Sequence, residues 1–370
     1  MSILVFKYLD RNKNGSQLLT ADYFEHKSPG SWLARRGLSR SAFCEARQKL
    51  SWEAFAYLLS QVPQADQSWK GHTLRAVDGT KLSLVHSEEV LKEFPIQGNY
   101  FGEVHYPMGL LVAASNVLTG QITHALLGNK TLSEPQCLEN LLEQFKSGDI
   151  TLLDRGIGGK NIWISFEKHK QYFVGRLKIK GRNTLGGIDK NKKDQVIEIS
   201  NGEQTMQLRI VRGPKLRTGS YLFLATNLLN TKKYKRKELL KLYQKRQKIE
   251  TNFMELKNRL GLNPVHGAKK LNHILQDIYA AVLAQALVAR IKGGLTPRAR
   301  KIISFKATQR ILKINLTRKV WDEPETDLLL FYHLIQLGRD YPRYSRQPEN
   351  KWTKQKRMKT YLNKIRSLNA

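Results

Sequence analysis

The sequence predicts an α/β fold that carries a β-rich insertion, with a helical N-terminal region before it and a mainly helical C-terminal region after it. Three observations carry that prediction. Between His72 and Asp154 the apolar runs read as strand, strand, strand, helix, strand, the signature of a sheet with helices layered on it. From about Tyr172 to Leu228 nearly every apolar run has strand character. Before residue 68 and after residue 232 the apolar spacing is helical.

In chain order, Ser31 to Arg36 and Ser39 to Leu50 show helical spacing, with Ser39 or Ser41 as cap of the second run. The break Gly37-Leu38-Ser39 between them, followed by Arg40, Arg47 and Lys49, is compatible with a DNA-binding helix-turn-helix. It is equally compatible with a plain helical bundle that turns a basic face to solvent. His72 to Val85, His105 to Val117 and Gln121 to Leu127 then read as strands. Ser133 to Phe145 reads as a helix with Ser133 as its cap, and Asp149 to Asp154 as a short buried strand. The insertion holds YFVGRLKIK, QVIEIS, QLRIVRG and YLFLATNLL, with Asn201-Gly202 as a hairpin turn. A long basic helix is expected from Lys232 to Leu260, stopped by Gly261 and Pro264, and an apolar helix from 268 to 292. The expected divisions are a helical DNA-binding domain (1–70), a first core part (71–170) and the β-rich insertion (171–220). A second core part (221–295) and a C-terminal helical, dimerising region (296–370) follow.

Charge narrows the partner. The 370 residues include 63 Lys+Arg and 31 Asp+Glu, a net charge of +32, while 41% are hydrophobic. Such an apolar fraction excludes a disordered basic tail. A charge of this size opposes compaction unless a polyanion is the partner, and nucleic acid leads an anionic membrane surface. The N-terminal apolar run is too short for a signal peptide. The most apolar stretch, Ile278 to Ala289 interrupted by Gln285, falls short of the ~20 residues that span a bilayer. Cys44 and Cys137 lack metal-ligand spacing, as in a protein of the reducing cytoplasm.

Acids are the minority charge, so their placement is informative. Asp78 ends an apolar run in Ala76-Val77-Asp78-Gly79-Thr80, and Asp154 closes Ile150 to Leu153. A strand-end carboxylate either points into the crevice where sheets meet ligands or caps a turn. On the long basic helix Tyr243, Arg246, Glu250 and Lys257 fall within about 60° of one another at 100° per residue. They border the apolar stripe of Leu242, Ile249, Phe253, Leu256 and Leu260. Read alone, Arg246 and Glu250 also make an ordinary surface i,i+4 pair. Read together, three carboxylates in one cleft repel unless a cation neutralises them. Oxygen ligands without His or Cys favour Mg²⁺ or Mn²⁺. Two such ions serve in-line displacement at phosphorus, and beside a +32 protein the substrate is a nucleic-acid phosphodiester.

These residues resemble a known family. The string Y-x2-R-x3-E-x6-K, formed by Tyr243, Arg246, Glu250 and Lys257, is similar to the signature of DDE transposases of the insertion sequence 4 type. Val77-Asp78-Gly79-Thr80 resembles that family's first aspartate box, and Leu153-Asp154-Arg155-Gly156 its second. The resemblance runs from about residue 70 to 290. It implies a ribonuclease-H-like core, with Asp78, Asp154 and Glu250 as catalytic ligands of two Mg²⁺ ions that Mn²⁺ can replace. It puts Tyr243, Arg246 and Lys257 on the phosphates of a transposon end, while Arg155, Arg40 and Arg47 are further DNA contacts. Two positions depart from the family: Gln247 and Ile157 stand where an aromatic is frequent. The implied activity is cut-and-paste transposition: binding of double-stranded inverted-repeat ends, metal-dependent cleavage and joining to target DNA by a homodimer. A nuclease of the same fold without strand transfer and a non-catalytic DNA-binding derivative are the alternatives. His105, His124, His266 and Trp163 read as structural, as do Tyr172, Phe173, Tyr221 and Phe223.

Overall fold

The computed structural model describes residues 1–9, 16–64, 67–96, 106–129, 132–178, 185–262 and 269–295, together with 304–306, 308–309 and 312. Five helices open the chain: α1 (Ser2–Leu9), α2 (Ser16–Lys27), α3 (Trp32–Arg36), α4 (Arg40–Gln48) and α5 (Glu53–Gln61). Ser31 caps α3 by accepting from the Ala34 amide, and Ser39 caps α4 by accepting from Ala42. The positive φ of Gly37, 68°, turns the chain between them. Then come β1 (Leu74–Ser83), α6 (Glu88–Glu93), β2 (Met108–Asn116), β3 (Ile122–Gly128), α7 (Glu134–Leu142) and β4 (Ile150–Leu153). These are followed by α8 (Lys160–Lys168), β5 (Tyr172–Arg176), β6 (Asp194–Ser200), β7 (Thr205–Lys215) and β8 (Tyr221–Thr226).

All eight strands form one sheet in the order β3-β2-β1-β4-β5-β8-β7-β6. β1 runs parallel to β4, and β4 to β5; every other pairing is antiparallel. This moves the expected edge of the insertion. β5 lies within the segment expected as insertion, yet it pairs with β4 and belongs to the central sheet. The hairpin β6–β7, turned at Asn201-Gly202, and the returning β8 extend that same sheet instead of standing apart from it. Phe173 and Phe223 are core as expected and Tyr172 is half-buried, but Tyr221 is exposed, with the Arg212 guanidinium 4.8 Å over its ring.

The expected long helix is a relay of four pieces: α9 (Arg236–Tyr243), a 3₁₀ turn (Gln244–Gln247), α10 (Lys248–Met254) and a π turn (Glu255–Arg259). The tight 3₁₀ turn and the wide π turn each depart from 3.6 residues per turn, so a uniform helical wheel misplaces residues beyond them. The last described helix, α11 (Leu271–Gly294), is long and apolar enough to cross a membrane. It exceeds the short apolar run read from the sequence, and 83% of its most apolar window is buried inside the protein. One face of the sheet packs on α1, α5, α10 and α11; the other packs on α7 and α8.

α11 also fixes the N-terminal helices. Lys7 and Arg47 both pair with Asp277, at 2.9 and 3.3 Å, and Arg47 further donates to Gln276 and to the His273 carbonyl. Arg47 is buried in this network, which corrects its assignment as a DNA contact: the guanidinium is committed to the packing of α4 on α11. The region 296–370, expected to dimerise, lies almost wholly outside the described residues, as do His105 and His266.

Candidate active site

Register places the first two acids. β1 and β4 pair from Leu74↔Ile150 to Val77↔Leu153, so Asp78 and Asp154 emerge next to each other on neighbouring parallel strands, a strand spacing of about 4.8 Å. β4 and β5 pair up to Leu153↔Gly175, so Arg176 continues the row beyond Asp154. Side chains alternate along a strand. Asp78 and Asp154 therefore share the face of Leu74, Ala76, Ile150 and Leu152, the face on which α10 packs.

α10 delivers the third acid. Glu250 stands in its first turn, and the 3₁₀ turn before it carries Arg246 over the strand ends. The Arg246 guanidinium is the meeting point. Nη1 donates to Asp78 Oδ2 at 3.3 Å, while Nη2 donates to Glu250 Oε1 at 2.8 Å and lies 3.6 Å from Asp154 Oδ1. Tyr243 shares a hydrogen bond with the same guanidinium, and burial pushes its phenol up to about 12, so it remains a neutral donor. Of the residues singled out from the sequence, five thus converge: Asp78, Asp154, Tyr243, Arg246 and Glu250.

The remaining candidates stand apart from that centre. Lys257 sits half-buried in the π turn, its ammonium held below the ordinary lysine value by burial. Arg155 is exposed in the turn just past Asp154, and Arg40 is exposed at the start of α4. Ile157 is buried in the core beneath the sheet, while Gln247 is exposed, so neither position needs an aromatic to fill it. Trp163 stacks on Phe173 at 5.9 Å and is buried, consistent with packing.

Burial, assisted by the charges of Asp154 and Glu250, raises the Asp78 carboxyl above its ordinary value against the opposing pull of the Gly79 amide and Arg246. The same acids raise Arg246. Glu134, at the start of α7, is also raised, by burial and then by Asp78 and Asp154. Sequence reading passed over Glu134 and Arg176. Arg176 ends an apolar strand just as the two aspartates do, and that signal was available.

Does the donor set fit a divalent cation? Asp78, Asp154 and Glu250 offer only carboxylate oxygens, the ligands that hard divalent cations prefer. They already converge on one positive charge, the guanidinium, which is a stand-in for such an ion. As they stand, no three His, Cys, Asp or Glu side chains among the described residues are close enough to close on one ion. The set fits in chemistry and direction, and Arg246 occupies its centre.

The sequence model of a family described as transposase DDE domain matches residues 69–287. The transposase InsG for insertion sequence element IS4 of Escherichia coli strain K12 is 25% identical over 270 residues, 67% of this chain. The match spans 60% of that relative's length. Among solved structures, the piggyBac transposase in a synaptic complex with hairpin DNA superposes with a TM-score of 0.52 and 12% identity. The superposition covers 95% of this chain and 76% of that one.

Proposed function

The chain belongs to the transposase DDE-domain family, and from that premise we propose that it is a cut-and-paste DNA transposase with Asp78, Asp154 and Glu250 as its catalytic acids. The observation that carries the reading is the register Val77↔Leu153. It sets two carboxylates side by side at one sheet edge, under the helix that brings the third. The strand order β3-β2-β1-β4-β5, with β1, β4 and β5 parallel, supports a ribonuclease-H-like core.

The three acids would hold two Mg²⁺ ions, replaceable by Mn²⁺, which activate an attacking oxygen and stabilise the leaving one during displacement at phosphorus. The protein's own groups do the rest. Arg246 offers a planar fork for a phosphate, Tyr243 a neutral hydroxyl donor and Lys257 a point charge. Arg155 and Arg40, exposed, extend the contact to the DNA backbone, and the +32 charge supplies the sequence-independent attraction. In the first step water attacks phosphorus at the element's end and the P–O3′ bond breaks, leaving a 3′-OH. That hydroxyl then attacks a target phosphodiester, forming a new P–O3′ bond and expelling the target's own 3′ oxygen. Holding two ends at once calls for a homodimer on DNA, in the cytoplasm where the nucleoid lies.

The test is incubation of the full chain with Mg²⁺ and DNA carrying the element's terminal inverted repeats, scored for excision and insertion. Asp78→Asn, Asp154→Asn and Glu250→Gln should each lower cleavage by about 10³-fold or more, several kcal/mol of lost transition-state stabilisation, with end binding retained. Undiminished cleavage in any one removes that residue from the site. Cleavage without joining of a pre-cut end would replace the transposase reading by a nuclease.

A further inference from the structure

β1 runs on to Ser83, whereas its partner β4 stops at Leu153, so past Val77 the β4 side of β1 is no longer laddered by that strand. The second residue of this free stretch is Gly79. A Cβ built there would stand 2.4 Å from Glu134 Oε1, 2.8 Å from its Cδ and 2.9 Å from its Cγ. The Glu134 side chain therefore fills the space that any residue larger than glycine would claim, directly beside Asp78. Gly79 lies in regular strand without a positive φ, so no backbone demand accounts for glycine at this position.

Glu134 comes from the other side of the sheet. It is the first residue of α7, whose buried face of Cys137, Leu138, Leu141 and Leu142 packs opposite α10. An acid in a first helical turn is ordinary, because it faces the positive end of the helix dipole for some 0.3–1 kcal/mol. That gain is available in open solvent. It does not call for folding the carboxyl over a strand, nor for setting it against the two like charges that, with burial, raise its proton affinity. An arrangement that crowds a third acid onto Asp78 and Asp154 is costly in the absence of a further positive charge. Arg246 contacts Asp78, Asp154 and Glu250 from the α10 side, and Lys81 is the cation that opposes the shift at Glu134.

We propose that Glu134 is a fourth carboxylate of the cation site, reaching Asp78 and Asp154 from the opposite face of the sheet through the notch beside Gly79, and that it holds a divalent cation there directly or through a bound water. The proposal rests on the reading of Asp78, Asp154 and Glu250 as that site. Gly79 is the positioning residue, since its lack of a Cβ is what admits the carboxyl.

The experiment is a titration of the full chain, free of DNA, with MnCl₂, read as melting temperature. Glu134→Gln should raise the Mn²⁺ concentration for half-maximal stabilisation about 10- to 100-fold, the loss typical of a residue supporting a metal. Gly79→Ala, which keeps the carboxylate but displaces it, should raise it as well. Glu143→Gln, an exposed acid just past the end of α7, should leave it unchanged. A midpoint unmoved by Glu134→Gln overturns the proposal, and this conservative variant decides alone if Gly79→Ala does not fold. Stabilisation abolished by Asp78→Asn but indifferent to Glu134→Gln sinks the fourth ligand and leaves the three-acid site standing. No Mn²⁺ effect on the unsubstituted protein sinks both.

Discussion

Arg246 Nη2 lies 2.8 Å from Glu250 Oε1, so the helix segment that brings the third acid also brings its counter-cation. That guanidinium reaches Asp78 and Asp154 as well, holding together three carboxylates that would otherwise repel. Arg246→Ala should lower the melting temperature of the metal-free protein and enlarge its gain on adding Mg²⁺. If the guanidinium moves to a phosphate when DNA binds, the same variant should also reduce the salt slope of end binding by about 1. A Mg²⁺ effect equal to that of the unsubstituted protein would show that Arg246 is not the counter-charge.

Asp78→Asn should stabilise the metal-free protein at neutral pH. Burial, Asp154 and Glu250 together raise the folded-state proton affinity of Asp78. An acid so raised contributes stability below its ordinary pKa and loses it as pH rises through the folded value, so at neutral pH the charge is a burden that Asn removes. Urea midpoints should favour the variant at pH 7 and converge with the unsubstituted protein in acid. A less stable variant at pH 7 would mean that the Arg246 contact outweighs burial.

His124 should make the fold acid-sensitive. Its ring bonds Thr123 Oγ1 at 2.9 Å and packs on Phe145, and burial followed by the Arg75 charge lowers its pKa to about 4. The unfolded chain takes up this proton near the ordinary value of about 6.5. Stability is therefore whole above that value and falls by up to about 3 kcal/mol as pH drops towards 4. His124→Gln should flatten this part of the stability-versus-pH curve. An unchanged slope between pH 6.5 and 4 would assign the acid sensitivity elsewhere.

Arg75 and Asp149 brace the opposite ends of the strands that carry the acids. Nη2 of Arg75 lies 2.6 Å from Asp149 Oδ2, both side chains are buried, and Nη1 donates to Thr123. Asp149→Ala strands a buried guanidinium and should cost about 3–5 kcal/mol in urea denaturation. A loss below about 1 kcal/mol, the worth of an exposed pair, would show that the guanidinium finds water instead.

Much of the site was legible because its acids interrupt strong local patterns. Asp78 and Asp154 each follow an apolar strand, and the apolar stripe beside Glu250 betrays a helix laid on a core. Glu134 was not legible: beside Ser133 it reads as a helix start, and nothing nearby in sequence says that Gly79 leaves room for it. Arg47 misled for a related reason. On α4 it looks like one more basic residue near a turn, while Asp277, which neutralises it, lies far along the chain. The insertion's strands were visible from their alternation, but their partners were not, because β5–β8 pairing joins segments that local pattern cannot relate. The relay of helix types defeated a wheel that assumes a constant turn.

Leu4, Val5, Phe55 and Leu59 belong to the same buried cluster as Leu82, Leu111, Ile274 and Ile278. There is accordingly no seam near residue 70 along which the chain could be cut. A fragment starting where the family match begins would expose the apolar flank of α11 and leave Asp277 without either of its cations. Exchanging the first helices for those of a relative, as a way to redirect which DNA ends are recognised, would therefore be core surgery instead of a cassette swap. New specificity in this scaffold has to come from substitutions on the outer surface of those helices, with the side that meets α11 left as it is.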